Sequence, residues 1–412
     1  MTHALQYFRP TQALVDLQAL VHNVNLLRQS FGTSKFFCPM VKANAYGHGD
    51  VEISRTLEKL GVAILGVGLI EEGELLRQMG VTADVLVFGM WETRGANTLL
   101  RHRLTPVIND LHQLQTWMQA VQAVSAYSPT TVAPAPQTAV HLKFDTGMHR
   151  LGFRPDEAAT CFEVCRMSRA QVAGVLTHLH SAEDLHHAEG TSQAQLRLLV
   201  SLADVFSAWQ PEIHALNSAG LLHGLSLRNL DLLKVMGARP GLALYGYAPT
   251  PELAQVLPLK PVMTLRSQIV RIHDVAVGEG VSYGQTWKAQ RPSKVGVVPI
   301  GYADGYHRSL SNRGQVLFLG HRVPVVGNVC MDYLMLDLTE VLKDRPVESL
   351  MGRDWDVTLL GTDAQGNRIG AEEIAVWAGT AVWEILTSIG ERVPRVYLPP
   401  LEGYTQGQRT DL

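Results

Sequence analysis

Eight short apolar runs, separated mostly by helix-length connections, constrain this chain more than any other feature. They fall at residues 36–42, 63–69, 84–89, 104–109, 139–145, 172–178, 213–217 and 239–245. Several are rich in valine and other apolar residues, with Val67, Val85 and Val87 as examples. Near-continuous apolar strands are what a parallel sheet covered on both faces requires. Eight βα units in about 245 residues predict the α/β class, as a TIM-type (β/α)8 barrel. A doubly wound open sheet is the competing arrangement. Barrels carry their chemistry at the C-terminal ends of the strands. Lys42, Lys143, Asp145, His178, Asn217 and Ser218 lie near such ends, whereas Arg239 opens its run.

The alternation stops near residues 249–258. From Met263 onward the segments MTLRSQIVRI, KVGVVPIGY, QVLFLG, VPVVGNVCMDYLMLDL and DVTLLG read as strands with Gly turns, followed by a helical stretch or two over 371–389. A (β/α)8 domain over 1–255 and a β-rich domain over 256–412 are expected, and the extreme N-terminus is free to pack on the second. After a short extended segment from Arg9, the spacing of Leu17, Leu20, Val21, Val24 and Leu27 predicts a helix.

With 46% hydrophobic and 18% charged residues and a net charge of −3, the chain reads as an ordinary globular protein. Basic and acidic residues are interspersed, which argues against nucleic-acid or anionic-membrane partners. Cys38, Cys161, Cys165 and Cys330 lack zinc-site spacing, and Cys161 and Cys165 suit packing on one helix. There is no apolar signal core and no run of membrane-helix length, so a reducing cytoplasm is the expected location. Residues 125–138 read as a surface loop, and His186 and His187 as solvated residues; no metal site is expected.

At 40–49 the sequence MVKANAYGHG closes an apolar run on a lysine. Burial lowers a lysine pKa, and a neutral amine is a nucleophile able to form a Schiff base. The glycines allow a sharp turn near a ligand, and the Tyr46 hydroxyl could hold a second point on it. A solvated strand-end lysine is the plainer alternative. Similar pairs of readings apply elsewhere. NSAG at 217–220 and RPGLALYG at 239–246 are either Gly turns or a barrel phosphate site built by Ser218, Gly241 and Leu242.

The string VKANAYGHG closely resembles the cofactor-lysine signature of bacterial alanine racemases. The strings RPTQALVDLQALVHNVNLLR, KFDTGMHRLGF, LTHLHSAED, NSAG, RPGLALYG, GVSYGQTW, GYADGYHRSL and VGNVCMDYLML resemble other stretches of the same family. The likeness covers nearly the whole chain. It implies pyridoxal 5'-phosphate (PLP) held on Lys42. Tyr46, His178, Asn217, Ser218, Gly241 and Leu242 would surround it, and Arg239 would face its pyridine nitrogen. An arginine can donate to that nitrogen but not protonate it, which makes the ring a poorer electron sink and disfavours transamination. The resemblance further implies Lys42 and Tyr283 as bases on opposite faces of the substrate, with Arg150, Tyr302 and Met331 as substrate-binding residues. Tyr283, Tyr302 and Met331 would come from the second subunit of a homodimer with shared sites. Lys143 matches a position often carbamylated in the family; the sequence leaves its state open.

Where the family often has a tyrosine in a YEI-type string, this chain has Trp383. Tryptophan has no hydroxyl, only an indole N–H donor. The implied activity is interconversion of L- and D-alanine, supplying D-alanine for the cell wall. A serine or broader racemase, a PLP decarboxylase on a similar barrel and a non-catalytic PLP-binding protein are the alternatives. A decarboxylase's usual acidic contact to the pyridine nitrogen is at odds with Arg239.

Overall fold

A computed structural model describes residues 8–32, 36–127, 139–185, 187, 190–227 and 236–399. They divide into two compact units. One comprises 20–45 and 49–260, the other the described residues up to 19, 46–48 and 261 onward.

The first unit is built on seven parallel strands, each pairing with the next in chain order. They are Ile64–Val67, Asp84–Val87, Thr105–Ile108, Ala139–Lys143, Gln171–Leu176, Glu212–Leu216 and Gly237–Ala238. The eighth run, 36–42, closes the ring without forming a regular strand. Phe37 bridges Ala238 and Met40 bridges Gly66, both in parallel. Cys38 N–H donates to the Ala238 carbonyl and Val41 N–H to the Gly66 carbonyl, each through a normal backbone bond. Pro39 has no N–H to give, which interrupts the ladder between them. The (β/α)8 arrangement therefore holds, and the open-sheet alternative does not.

The last run needs correction. The strand is Gly237–Ala238, and Leu242–Tyr245 is a 3-10 turn. Arg239 thus follows the strand's C-terminal end instead of opening it. Cys38, Leu86, Val107 and Leu176 form one buried cluster, with Phe36, Ile64 and Phe88 packed against it. Each fully buried aliphatic side chain contributes about 1.5–3 kcal/mol. Cys161 and Cys165 are buried on the helix Ala158–Ser168. The helix Leu111–Tyr127 runs into the segment expected as a loop from 125. Residues 128–138 and His186 lie outside the described residues.

In the second unit Gln12–Asp16 is an inner strand. It pairs in parallel with Arg395–Leu398 and antiparallel with Met263–Gln268. The same sheet continues through Asp356–Thr362, Gln315–Phe318 and His321–Pro324. Alternate residues Met263, Leu265 and Ser267 are buried, the period-2 pattern of a half-covered sheet. A separate sheet joins Arg271–Val275, Ser293–Val298 and Leu334–Asp337. The expected C-terminal helical stretch is made of two helices, Ala371–Ala378 and Val382–Thr387. Gly379, at φ 72°, separates them, a left-handed helix end that glycine takes without strain.

Candidate active site

Lys42 ends the segment that closes the ring. It opens to solvent, yet protein atoms crowd it closely enough that desolvation lowers its amine pKa. Arg150 lowers it further, Glu72 works in the opposite direction, and Arg239 adds to the lowering. The chain then turns with the opposite hand. Ala43, Asn44, Ala45 and Tyr46 have φ of 52°, 53°, 51° and 54°. Each left-handed non-Gly residue costs about 1–2 kcal/mol, so hydrogen bonds must hold the turn. Ala45 N–H donates to the Val41 carbonyl at 2.9 Å and Gly49 N–H to the Asn44 carbonyl at 2.9 Å. The Asn44 side-chain oxygen accepts from Asp50 N–H at 3.0 Å, at the start of the helix Asp50–Lys59. Glu72 accepts from Ala43 N–H at 2.6 Å. Tyr46 is buried, which raises its phenol pKa to about 12.

Arg239 lies beneath the same end of the ring and is 5% exposed. Its Nη1 donates to His214 Nδ1 at 2.7 Å and to the His214 carbonyl at 2.6 Å. Its Nη2 donates to the Thr177 carbonyl at 2.7 Å. Burial lowers its pKa to about 10, so it stays cationic at neutral pH. His214 Nε2 lies 2.8 Å from His141 Nδ1. Burial, then Arg239, lowers His141 to about 3, and the same causes with His141 hold His214 well below the usual range. Both rings are therefore neutral. His178 is likewise lowered to about 3, first by burial and then by Arg239, Arg150, Lys143 and Lys42.

The segment after the strand Ala139–Lys143 carries Arg150. Asp145 shapes it by accepting from Gly147 N–H at 2.9 Å and His149 N–H at 3.0 Å. Arg150 itself is exposed. Lys143 is buried, and desolvation, Arg150 and Arg239 bring its amine to about 8. Two strands further round the ring, the Asn217 side-chain oxygen accepts from Gly220 N–H at 2.9 Å and caps the helix Ser218–Leu227. Ser218 Oγ accepts from Gly241 N–H at 3.0 Å and Ala243 N–H at 3.1 Å. Leu242 opens the 3-10 turn, and its N–H meets no carbonyl among the described residues. Lys42, Lys143, Arg150, His178 and Arg239 thus share one electrostatic neighbourhood.

Tyr283, Tyr302 and Met331 belong to the second unit, where three turns are laced together. Asn328 Nδ2 donates to the Tyr283 carbonyl at 2.7 Å, and Ser282 Oγ donates to the Asn328 carbonyl at 2.6 Å. Tyr302 N–H donates to the Cys330 carbonyl at 3.0 Å and Ala303 N–H to the Met331 carbonyl at 3.1 Å. Tyr283, Met331 and Asp332 line an open groove of about 990 Å³, and Tyr283 is 73% exposed. Behind the turns, Asp304 is fully buried. It accepts from Arg9 Nη1 at 2.9 Å and Nη2 at 2.5 Å and from Gly301 N–H at 3.0 Å. Arg392 Nε stands 3.5 Å from it and Nη2 reaches Asp332 at 2.7 Å. Trp383 lies on the helix Val382–Thr387 and is partly exposed.

Sequence reading missed Glu72, His141, His214 and Asp304. Two of these carried a signal. His141 and His214 interrupt apolar runs, and His141 stands two residues before Lys143, hence on the same strand face.

Residues 15–249 match the alanine racemase N-terminal domain family and residues 262–397 the alanine racemase C-terminal domain family. The chain belongs to the alanine racemase family. An alanine racemase of Geobacter sulfurreducens is 38% identical over 398 residues, covering 95% of this chain and 98% of that one. The solved alanine racemase of Clostridium difficile superposes with a TM-score of 0.83 at 30% identity, covering 95% of this chain and 97% of its own. That of Bartonella henselae, described with covalently bound pyridoxal phosphate, gives 0.79 at 26% identity, over 94% of this chain and 99% of its own. Among the described residues no group of three or more His, Cys, Asp or Glu could hold a metal ion, and no helix is long and apolar enough to cross a membrane.

Proposed function

We propose that this chain is a PLP-dependent alanine racemase, exchanging a proton at opposite faces of the substrate Cα. The residues present fit the cofactor. Lys42 offers an amine whose lowered pKa favours the nucleophilic form. Arg239 spends both Nη1 hydrogens and one on Nη2 within the protein. Its Nε–H is left over, a fixed cationic donor suited to a ring nitrogen. Ser218 Oγ accepts two N–H groups and keeps its own hydrogen to give. With the Leu242 N–H it suits a phosphate oxygen. The observation that carries the proposal is this pairing of a lysine, whose charged form is disfavoured by desolvation and nearby arginines, with a buried, arginine-centred network at one end of a barrel.

Lys42 would hold PLP covalently, with Tyr46, His178, Asn217, Ser218, Arg239, Gly241 and Leu242 around it. Bound there, PLP supplies an aldehyde that takes up an amine and a ring that withdraws electron density from Cα. Lys42 Nζ takes or returns the Cα proton on one face. Tyr283 Oη of a second copy does so on the other. The Arg150 guanidinium fork suits the substrate carboxylate, with the Met331 amide beside it and Tyr302 lining the approach. Arg239 remains protonated and gives up no proton, which favours return of the proton to Cα.

The open groove bearing Tyr283 supports a homodimer with shared sites. Cytoplasmic location, D-alanine supply to the cell wall and a domain division at 255/256 complete the proposal. A chiral product assay across alanine, serine and other small amino acids, with the PLP spectrum taken on the same sample, tests it. Alanine is expected to racemise, and Lys42→Ala to lose both the bound-cofactor absorbance and turnover. Failure of wild-type protein to exchange the alanine α-proton in D2O would leave only a PLP-binding protein.

A further inference from the structure

The turn after Lys42 is held from outside by a residue of the next βα unit. Glu72 sits in the first turn of the helix Ile70–Gln78. Its Oε2 accepts from Gly68 N–H at 2.7 Å and Leu69 N–H at 3.0 Å, and its Oε1 from Ala43 N–H at 2.6 Å. One carboxylate therefore ties the start of that helix to the peptide that leaves Lys42. Gly68 lies under the lysine stem: a Cβ built there would stand 3.7 Å from Lys42 Cβ, 3.8 Å from its Cδ and 3.4 Å from Glu72 Oε2. Hydrogen bonds from backbone N–H groups to a carboxylate are charge-assisted, worth roughly twice a neutral one. The one from Ala43 N–H helps hold that residue in a conformation that an L-residue resists.

We propose that Glu72 is the positioning residue for Lys42, clamping the left-handed turn that presents the amine and setting a negative charge against the cations around it. Those cations are Arg150 and Arg239, and Lys143 and His178 also interact with the amine. Without Glu72, the same desolvation and positive charge act on Lys42 unopposed. The inference rests on Lys42 being the amine that the site uses.

Two variants separate charge from reach. Glu72→Gln removes the charge and turns one acceptor into a donor; Glu72→Asp keeps the charge and shortens the arm. The first measurement needs neither cofactor nor activity: acetylation of Lys42 against pH in cofactor-free protein, followed by mass spectrometry of its peptide. For Glu72→Gln the labelling midpoint is expected to fall by about one unit, and for Glu72→Asp to stay near wild type. PLP affinity is expected to weaken about tenfold in both variants, the loss of one such hydrogen bond. An unmoved midpoint in a folded Glu72→Gln protein overturns the electrostatic role. Wild-type PLP affinity in Glu72→Asp overturns the clamp, and it decides the matter alone if Glu72→Gln does not fold by circular dichroism. A chain that racemises nothing would still give a Lys42 titration, so failure of the racemase reading is distinguishable.

Discussion

Arg239 donates from a single nitrogen to both the Nδ1 and the carbonyl oxygen of His214. Since a guanidinium cannot accept, His214 Nδ1 must be the acceptor, and its hydrogen must lie on Nε2. That hydrogen points to His141 Nδ1, which fixes the second ring as an Nε2–H tautomer as well. A permanent charge thereby sets the proton positions of two neutral rings in series.

It follows that 15N NMR should find both histidines as neutral Nε2–H tautomers from about pH 6 to 9. His214→Leu leaves a buried arginine donor without its partner. A loss of about 1–3 kcal/mol is expected, read as a lower denaturant midpoint at unchanged slope. An imidazolium signal from either ring at neutral pH would contradict the chain of bonds.

Tyr283→Phe removes the phenol proton and little else from an exposed turn. Loss of one acid–base group lowers rates by about 10²–10⁴-fold, and the PLP dissociation constant should stay near wild type. The decisive measurement is α-proton exchange in D2O from each enantiomer separately, since a base serving one face affects one direction of abstraction more. Equal turnover with wild type in both directions would remove Tyr283 from the mechanism.

Lys143 gives a stability signature with a defined sign. Its amine titrates at about 8 in the folded protein, against 10.5 for an ordinary lysine. Between these values the unfolded chain holds a proton that the native state has lost. Stability therefore rises with pH across that window, by about 1.4 kcal/mol per unit at most. Lys143→Met should remove this slope and be the more stable protein below about pH 8. Carbamylation would abolish the slope too, but would show in wild type as a 13C-bicarbonate signal absent from the variant.

The Arg9–Asp304–Arg392 cluster predicts where the second unit is fragile. Asp304 has no solvent exposure, and removing a partner from a buried ion pair costs about 3–5 kcal/mol. Arg9→Ala is expected nearer the lower figure, because Arg392 remains at 3.5 Å. Thermal melts of Arg9→Ala, Arg392→Ala and the double variant measure the coupling. Strict additivity would mean that the two arginines do not share the carboxylate.

Much of this was legible because two signals agreed. Valine-rich runs at regular intervals announced the barrel, and long strings such as VKANAYGHG and RPGLALYG marked its busy end. The strand bounds at Arg239 were misread because Leu242–Tyr245 is apolar for packing, not for strand pairing. Hydrophobicity alone does not separate a buried 3-10 turn from a short strand. Glu72 and Asp304 stayed hidden because an acidic residue beside a turn looks the same whether it is solvated or receives three N–H groups. That distinction depends on chain segments brought together from far along the sequence.

The strand Gln12–Asp16 pairs Ala13 with both Leu265 and Arg395. During synthesis, an early-emerging piece of the second unit must therefore wait for the last strand before its sheet can close. Non-local pairing of this kind is slow to form. Shortening the chain by even a few residues at either margin of the described region would strip Gln12–Asp16 or Arg395–Leu398 from that sheet and leave every barrel strand in place.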